Sequence, residues 1–215
     1  MSWLTEDYRG TQCVPDPDLA TKSVLRAVYH VNLQLLRLLA DIGEHPDTEC
    51  PPLLTTLGAA VKRVGPSARD RLAQCPFLLV NAGFHDATRW RIAQRALNDA
   101  PVSDEEAEVG FRSKRIKLAR LTLLTAWNVI RLNPQAADLI LGASECTEVI
   151  AACSFTELEE LAERHFDWIT PRWEHRPENW YRLISLAQVP RCDSLTSVGL
   201  RGLFLFGGEF VCQWD

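Results

Sequence analysis

The chain has 215 residues, of which 47% are hydrophobic and 24% charged, with a formal net charge of −5. Those are the proportions of an ordinary globular protein, with length enough for one real core or for two small halves sharing one. The acidic balance argues against a protein that holds nucleic acid unaided, because Lys and Arg on phosphates supply most non-specific affinity.

The opening MSWLTEDYRG lacks the basic and apolar regions of a secretory signal. No apolar run approaches the ~20 residues needed to span a bilayer. The longest candidate, Val24 to Ile42, is broken by Arg26, His30, Asn32, Gln34, Arg37 and Asp41. A cytoplasmic protein with no membrane partner is expected. The seven cysteines, Cys13, Cys50, Cys75, Cys146, Cys153, Cys192 and Cys212, include no C-x-x-C pair and read as free thiols, several of them buried. Cys146 and Cys153 have a spacing that could put both on one helical face.

Residues 1–18 are polar, carry Pro15 and Pro17, and read as an extended arm whose Trp3 and Leu4 could dock on the body. From Lys22 a strong helix follows, with Val24, Leu25, Val28, Val31, Leu35, Leu38 and Leu39 at helical spacing. GEHPDTECPP ends it. Leu53 to Val64 predicts a short helix interrupted at Gly58, and Gly65-Pro66-Ser67 starts another that runs to about Gln74. Periodicity leaves Phe77 to Val80 open between extended and helical. A helix over Thr88 to Leu97 would be anchored by Trp90 and Ile92.

The acidic stretch Ala100 to Gly110, with a capping box at Ser103 and Glu106, reads as the boundary between halves. FRSKRIKLARLTLLTAWNVIRL then reads as the longest helix. Asn133-Pro134 restarts the chain into a helix that stops at Gly142. Glu145 to Cys153 is expected to be helical, and Ser154 with Glu157 caps the next helix. In that helix Leu158 and Leu161 should face the core, with Glu157, Glu159, Glu160 and Glu163 on the solvent side. Ile169 to Arg176 reads as irregular, and Pro177 opens a helix bearing Trp180, Leu183 and Ile184. Pro190 to Asp215 reads as a short irregular or hairpin tail.

The second half echoes the first. Laying Ser67–Leu72 over Thr156–Leu161 puts Phe77 on Phe166, Val80 on Ile169, Phe84 on Trp173 and, with one inserted residue, Trp90 on Trp180. The expected organisation is an arm (1–18), two helical halves (19–100 and 101–189) with pseudo-twofold symmetry, and a tail (190–215).

One arrangement in the second half carries a family resemblance. It runs from the Leu-rich helix Leu121 to Arg131 through Ala136, Ala137, Leu141 and Gly142 to Ala151, Ala152, Phe155, Leu158, Leu161, Ala162, Glu163 and Phe166. This order resembles FlhD, the flagellar transcriptional regulator. The resemblance implies an all-α fold of intertwined helices, two FlhD-like halves fused as a monomeric pseudo-dimer or paired further as a homodimer. It also implies protein partners, an FlhC-like subunit or RNA polymerase, with DNA reached only through a partner.

Two clusters stand out as candidate surfaces. Arg112, Lys114, Arg115, Lys117 and Arg120 crowd a helix start, where cations oppose the helix dipole, and could meet nucleic acid or an acidic partner. Trp168, Arg172, Trp173, Arg176, Trp180 and Tyr181 form the densest aromatic–Arg group, of the kind that dominates interfaces. They read either as a partner-binding surface or as core tryptophans with rim arginines. No histidine pair has zinc spacing and no phosphate or nucleophile motif occurs, so neither catalytic residues, metal nor cofactor is expected. The expected role is a non-enzymatic regulator or adaptor. The alternatives are a scaffold or accessory protein of a secretion or other assembly, and a small enzyme using His85-Asp86 or Glu174-His175.

Overall fold

The structure is a computed structural model and describes residues 17–45, 52–97, 110–142 and 145–189. In chain order the elements are α1 (Pro17–Glu44), α2 (Pro52–Arg63), α3 (Pro66–Ala73), β1 (Val80–Asn81), α4 (Ala87–Leu97), α5 (Phe111–Leu132), α6 (Pro134–Leu141), α7 (Thr147–Ala152), α8 (Phe155–Arg164), β2 (Thr170–Pro171) and α9 (Pro177–Gln188). A single 3-10 turn, Phe166–Trp168, links α8 to β2. The architecture is all-α. None of the described helices is long and apolar enough to cross a membrane. The Ser103/Glu106 box and the 190–215 tail lie outside the described residues.

The core is built on α1 and α5, which pack on each other. The α1 stripe buries Val24, Val28, Val31, Leu35, Leu38 and Leu39 as its spacing predicts, and Leu36 with them, while Leu25 stays 42% exposed. The helix starts at Pro17 rather than Lys22 and, at 28 residues against 22, it is α1 and not α5 that is longest. It also packs on α2. Gly58 does not interrupt α2, contrary to expectation. It sits where α2 crosses α1, and a Cβ there would stand 2.6 Å from the Leu39 carbonyl oxygen and 2.9 Å from the Gly43 amide nitrogen. Glycine's helix penalty is thus offset by a backbone-to-backbone approach that no other residue permits.

The second half opens with α5 and turns sharply at Asn133, whose Oδ1 accepts a hydrogen bond from the Ala136 amide while Pro134 supplies the first helical residue. Gly142 closes α6 in the left-handed region (φ 80°), and a side chain there would run into the Arg172 guanidinium. The helix expected over Glu145 to Cys153 is shorter, because Cys146 and Cys153 flank α7 as its end residues; both are buried.

The capping box of α8 is present as read. The Ser154 hydroxyl accepts from the Glu157 amide, and the Ser154 amide donates to the Glu157 carboxylate at 2.6 Å. Leu158 and Leu161 are buried and the four glutamates only half-covered. Those bonds from Ser154 hold the Glu157 carboxyl below the usual carboxylate range. A depressed folded-state pKa gives stability that is present above the unfolded value and lost as pH falls through the folded one. Glu157→Ala is therefore expected to cost about 0.5 kcal/mol at pH 7, small because the site is open to solvent. The cost should fade toward pH 3, read as the gap between urea midpoints of the two proteins.

The sequence of long helix, shorter helices, strand and closing helix occurs twice. β1 and β2 pair antiparallel, Val80 with Pro171 and Asn81 with Thr170. Packing across the pair is reciprocal: α9 lies on α3 of the first half, and α4 lies on α8 of the second. Gly83 (φ 68°) and Trp173 (φ 57°) take left-handed backbone at matching points three residues into each strand segment. Trp90 Nε1 donates to the Gly83 carbonyl at 3.1 Å, and Trp180 Nε1 to the Arg172 carbonyl at 2.6 Å. The strands begin at Val80 and at Thr170.

Candidate partner-binding groove

Three of the six residues in the aromatic–Arg group are interior, which corrects their reading as a surface. Trp180 is fully buried, Trp173 is 8% exposed and Arg172 6%. Arg172 is held there by acceptors. Its amide donates to the Leu79 carbonyl at 2.8 Å, and its Nη1 reaches the Leu78 carbonyl at 3.3 Å. Its guanidinium also lies over the rings of Phe77 and Trp173. A charge can be buried where several acceptors and ring faces replace water. Trp168 is half-buried, edge-on to Trp90 and stacked on His165 at 4.2 Å, with Arg89 over its ring at 3.9 Å. Burial lowers the His165 pKa. Arg176 and Tyr181 are exposed.

The basic start of α5 is largely a seam within the protein. Lys114 pairs with Asp41 at 2.6 Å, and Arg120 pairs with Glu163 of α8. Arg112 and Arg115 lie over the Phe166 ring, and Arg115 reaches the Asp167 carbonyl. Lys117 faces solvent. Lys114, Arg120 and Arg115 of this helix start thus meet acceptors on α1, α8 and the residue Asp167 of the 3-10 turn. The free cationic face expected from sequence is reduced accordingly.

Other candidates for chemistry are inert or open. Burial pushes the Cys75 and Cys146 thiols up to about 12 and Cys153 to about 11, so they stay protonated and unreactive at neutral pH. The His175 side chain is 90% exposed beside Glu174, and His85 is exposed. Neither stands in the closed pocket that the enzyme alternative requires. Among the described residues no cluster of three or more His, Cys, Asp and Glu side chains could hold a metal ion.

Among the described residues a site-like feature is an apolar groove of about 280 Å³, lined by Thr21, Val24, Leu25, Pro76, Phe77, Leu132, Asn133, Ala136, Leu139 and Ile140. One wall is the start of α1; the other is the α5–α6 corner made by the Asn133 cap. The floor is Pro76-Phe77, fixed from behind by Asn32, whose Nδ2 donates to the Phe77 carbonyl at 2.9 Å. Leu25, Leu132 and Leu139 are 42%, 43% and 49% exposed and converge on this one place. Scattered exposed leucines are ordinary, whereas a contiguous concave group is a candidate binding surface. Sequence reasoning missed it. The available signal was that Leu25 falls at the margin of the α1 stripe and that Leu132 and Leu139 flank a helix break. Ile92, read as an anchor of α4, is 62% exposed, and Trp90 alone performs that task.

Comparison with protein-family models, with curated proteins and with solved structures returns no match to this chain.

Proposed function

We propose that the chain is a non-enzymatic regulatory adaptor, a fused pseudo-dimer of two FlhD-like halves, that acts by binding another protein through the apolar groove between α1 and α6. The observation that carries this is the convergence of Leu25, Leu132 and Leu139 over Phe77 in a concavity of about 280 Å³. A side chain of a partner set there removes apolar surface on both sides from water at roughly 25 cal/mol per Å². The reciprocal packing of α4 on α8 and α9 on α3 supports the fused-dimer reading, since an intertwined homodimer has that exchange between its chains. Fusion makes the pairing intramolecular and independent of concentration. The partner that the resemblance nominates is an FlhC-like subunit or RNA polymerase. With a net charge of −5, and with Lys114 and Arg120 of α5 in ion pairs within the chain, the reading has DNA reached through that partner.

The test is gentle purification of the tagged protein from its host, in parallel with Leu139→Asp. Leu139 is half-exposed, so the substitution should leave the far-UV circular dichroism and thermal midpoint near those of the parent. It should deplete the co-purifying partner about tenfold or more. RNA polymerase or an FlhC-like subunit in the parent preparation supports the regulator; secretion components move the protein to the scaffold reading. A partner retained in full by Leu139→Asp removes the groove from the account.

A further inference from the structure

The first turn of α4 meets the second half at the Trp168 indole. That ring stands edge-on to the fully buried Trp90 at 5.5 Å, carries the Arg89 guanidinium at 3.9 Å from its centre, and stacks on His165 at 4.2 Å. We propose that this Arg89–Trp168–His165 stack is an acid-operated latch, in which protonation of His165 eases α4 away from the second half.

The helix that moves is α4. It packs on α7 and α8, both of the other half. Only Trp90 and Ala93 of its 11 residues are buried, the profile of an element that opens below the global cost. Its own half holds it at the start, where Asp86 Oδ1 accepts the Arg89 amide at 2.9 Å and the Trp90 indole donates to the Gly83 carbonyl. Farther along, Gln94 reaches the Cys153 sulfur at 3.5 Å and Arg164 reaches the Ala96 carbonyl at 3.3 Å. Among these ties across the halves, the aromatic stack is the one that contains a titratable ring.

His165 ends α8, where its amide closes the helix on the Leu161 carbonyl, and its ring is half-buried. As a neutral imidazole it stacks on the indole without a charge to solvate. As an imidazolium it would be the second cation on a ring that already carries Arg89, with part of its hydration replaced by apolar surface. Burial is the larger cause that opposes the charge. Asp167 beside it favours the charge, whereas Arg89 of α4 and Arg164 of α8 oppose it. From α5, Arg112 and Arg115 add positive charge over the adjacent Phe166 ring, and Arg115 donates to the Asp167 backbone carbonyl. Lifting α4 removes Arg89 and admits water, so the opened form takes a proton that the closed form resists.

Linkage gives the sign. His165 in the fold titrates below its ordinary value of about 6.5, so the closed latch is favoured above that pH and loses favour as pH falls toward the folded value. Over that window the opening equilibrium rises by up to about tenfold per pH unit, until His165 protonates in place.

The experiment is hydrogen exchange of the full chain at about pH 7.5 and about pH 5.5, above the ordinary carboxylate range, read by mass spectrometry and corrected for intrinsic rates. Protection of α4 should fall about threefold or more at the lower pH while that of α5 holds. His165→Phe keeps a stacked ring without a charge and should flatten the fall. Arg89→Gln removes the competing cation and should at least halve it, with the His165 ring titrating closer to its ordinary value by NMR. His85→Asn, in the exposed turn before α4, should leave the fall intact. A parent whose α4 protection does not change, a His165→Phe chain that falls as steeply, or a dependence that disappears with His85→Asn would each overturn the proposal. Should His165→Phe lose protection in α5 as well, Arg89→Gln decides: an unchanged fall with an unmoved His165 titration overturns the latch.

Discussion

Replacing Gly58 by alanine is expected to lower the unfolding free energy by about 2 kcal/mol, against the sign that helix propensity assigns to the change. In an open helix interior Gly→Ala gains up to about 1 kcal/mol. At this crossing the new methyl would stand 2.6 Å from the Leu39 carbonyl oxygen and 2.9 Å from the Gly43 amide nitrogen. Both neighbours are backbone and cannot rotate away. The two helices must separate, and overpacking of this kind typically costs about 1–3 kcal/mol or more before the lost α1–α2 packing is counted. Urea denaturation of the two proteins decides it. A midpoint that rises would mean that the crossing is looser than its geometry states.

Asn32→Leu is expected to cost more, about 3–5 kcal/mol. Asn32 is fully buried on the α1 stripe, and its amide joins three carbonyls, those of Ala73, Cys75 and Phe77, at 3.2, 3.3 and 2.9 Å. Its Oδ1 accepts the Leu79 amide at 2.8 Å. The segment between α3 and β1 has no helix or ladder to satisfy these groups, and Asn32 supplies in one side chain what secondary structure supplies elsewhere. Leucine conserves size but leaves several of them buried without a partner, at about 1–3 kcal/mol each, partly relieved by local rearrangement. Two readings check it. The denaturant midpoint should fall, and the Leu79 amide should exchange with solvent much faster relative to global unfolding. Retained protection at Leu79 would show that another acceptor takes over. The groove should suffer too, because Phe77 is its floor.

The elements that were legible from sequence are those whose cause is local. Ser154 and Glu157 form their box because both partners lie within one turn, and Asn133-Pro134 and Pro66 start helices for the same reason. The α1 stripe was legible because its period of 3.6 reports a helix burying one face. The all-α class was what the resemblance implied, and the described helices bear it out. The echo of the first half in the second rests on few identities, too few to locate an inserted residue.

What the sequence by itself determined, then, is where most helices begin and end and which face of each is apolar. Only the tertiary structure decided what those faces meet. The sequence marks Trp168 to Tyr181 as dense in aromatic and arginine side chains, and that composition is the same for an interface and for an interior. It is the carbonyls of Leu78 and Leu79, distant in the chain, that draw Arg172 inward and take the tryptophans with it. The cations of α5 look free in sequence because Asp41 and Glu163 are far away along the chain. Gly58 looks like a helix breaker because the chain reads it alone, without the α1 backbone against it. The groove is of the same kind: Leu25, Leu132 and Leu139 sit on separate segments, and no local pattern brings them together. Periodicity compares a residue with its own helix. Packing compares it with another.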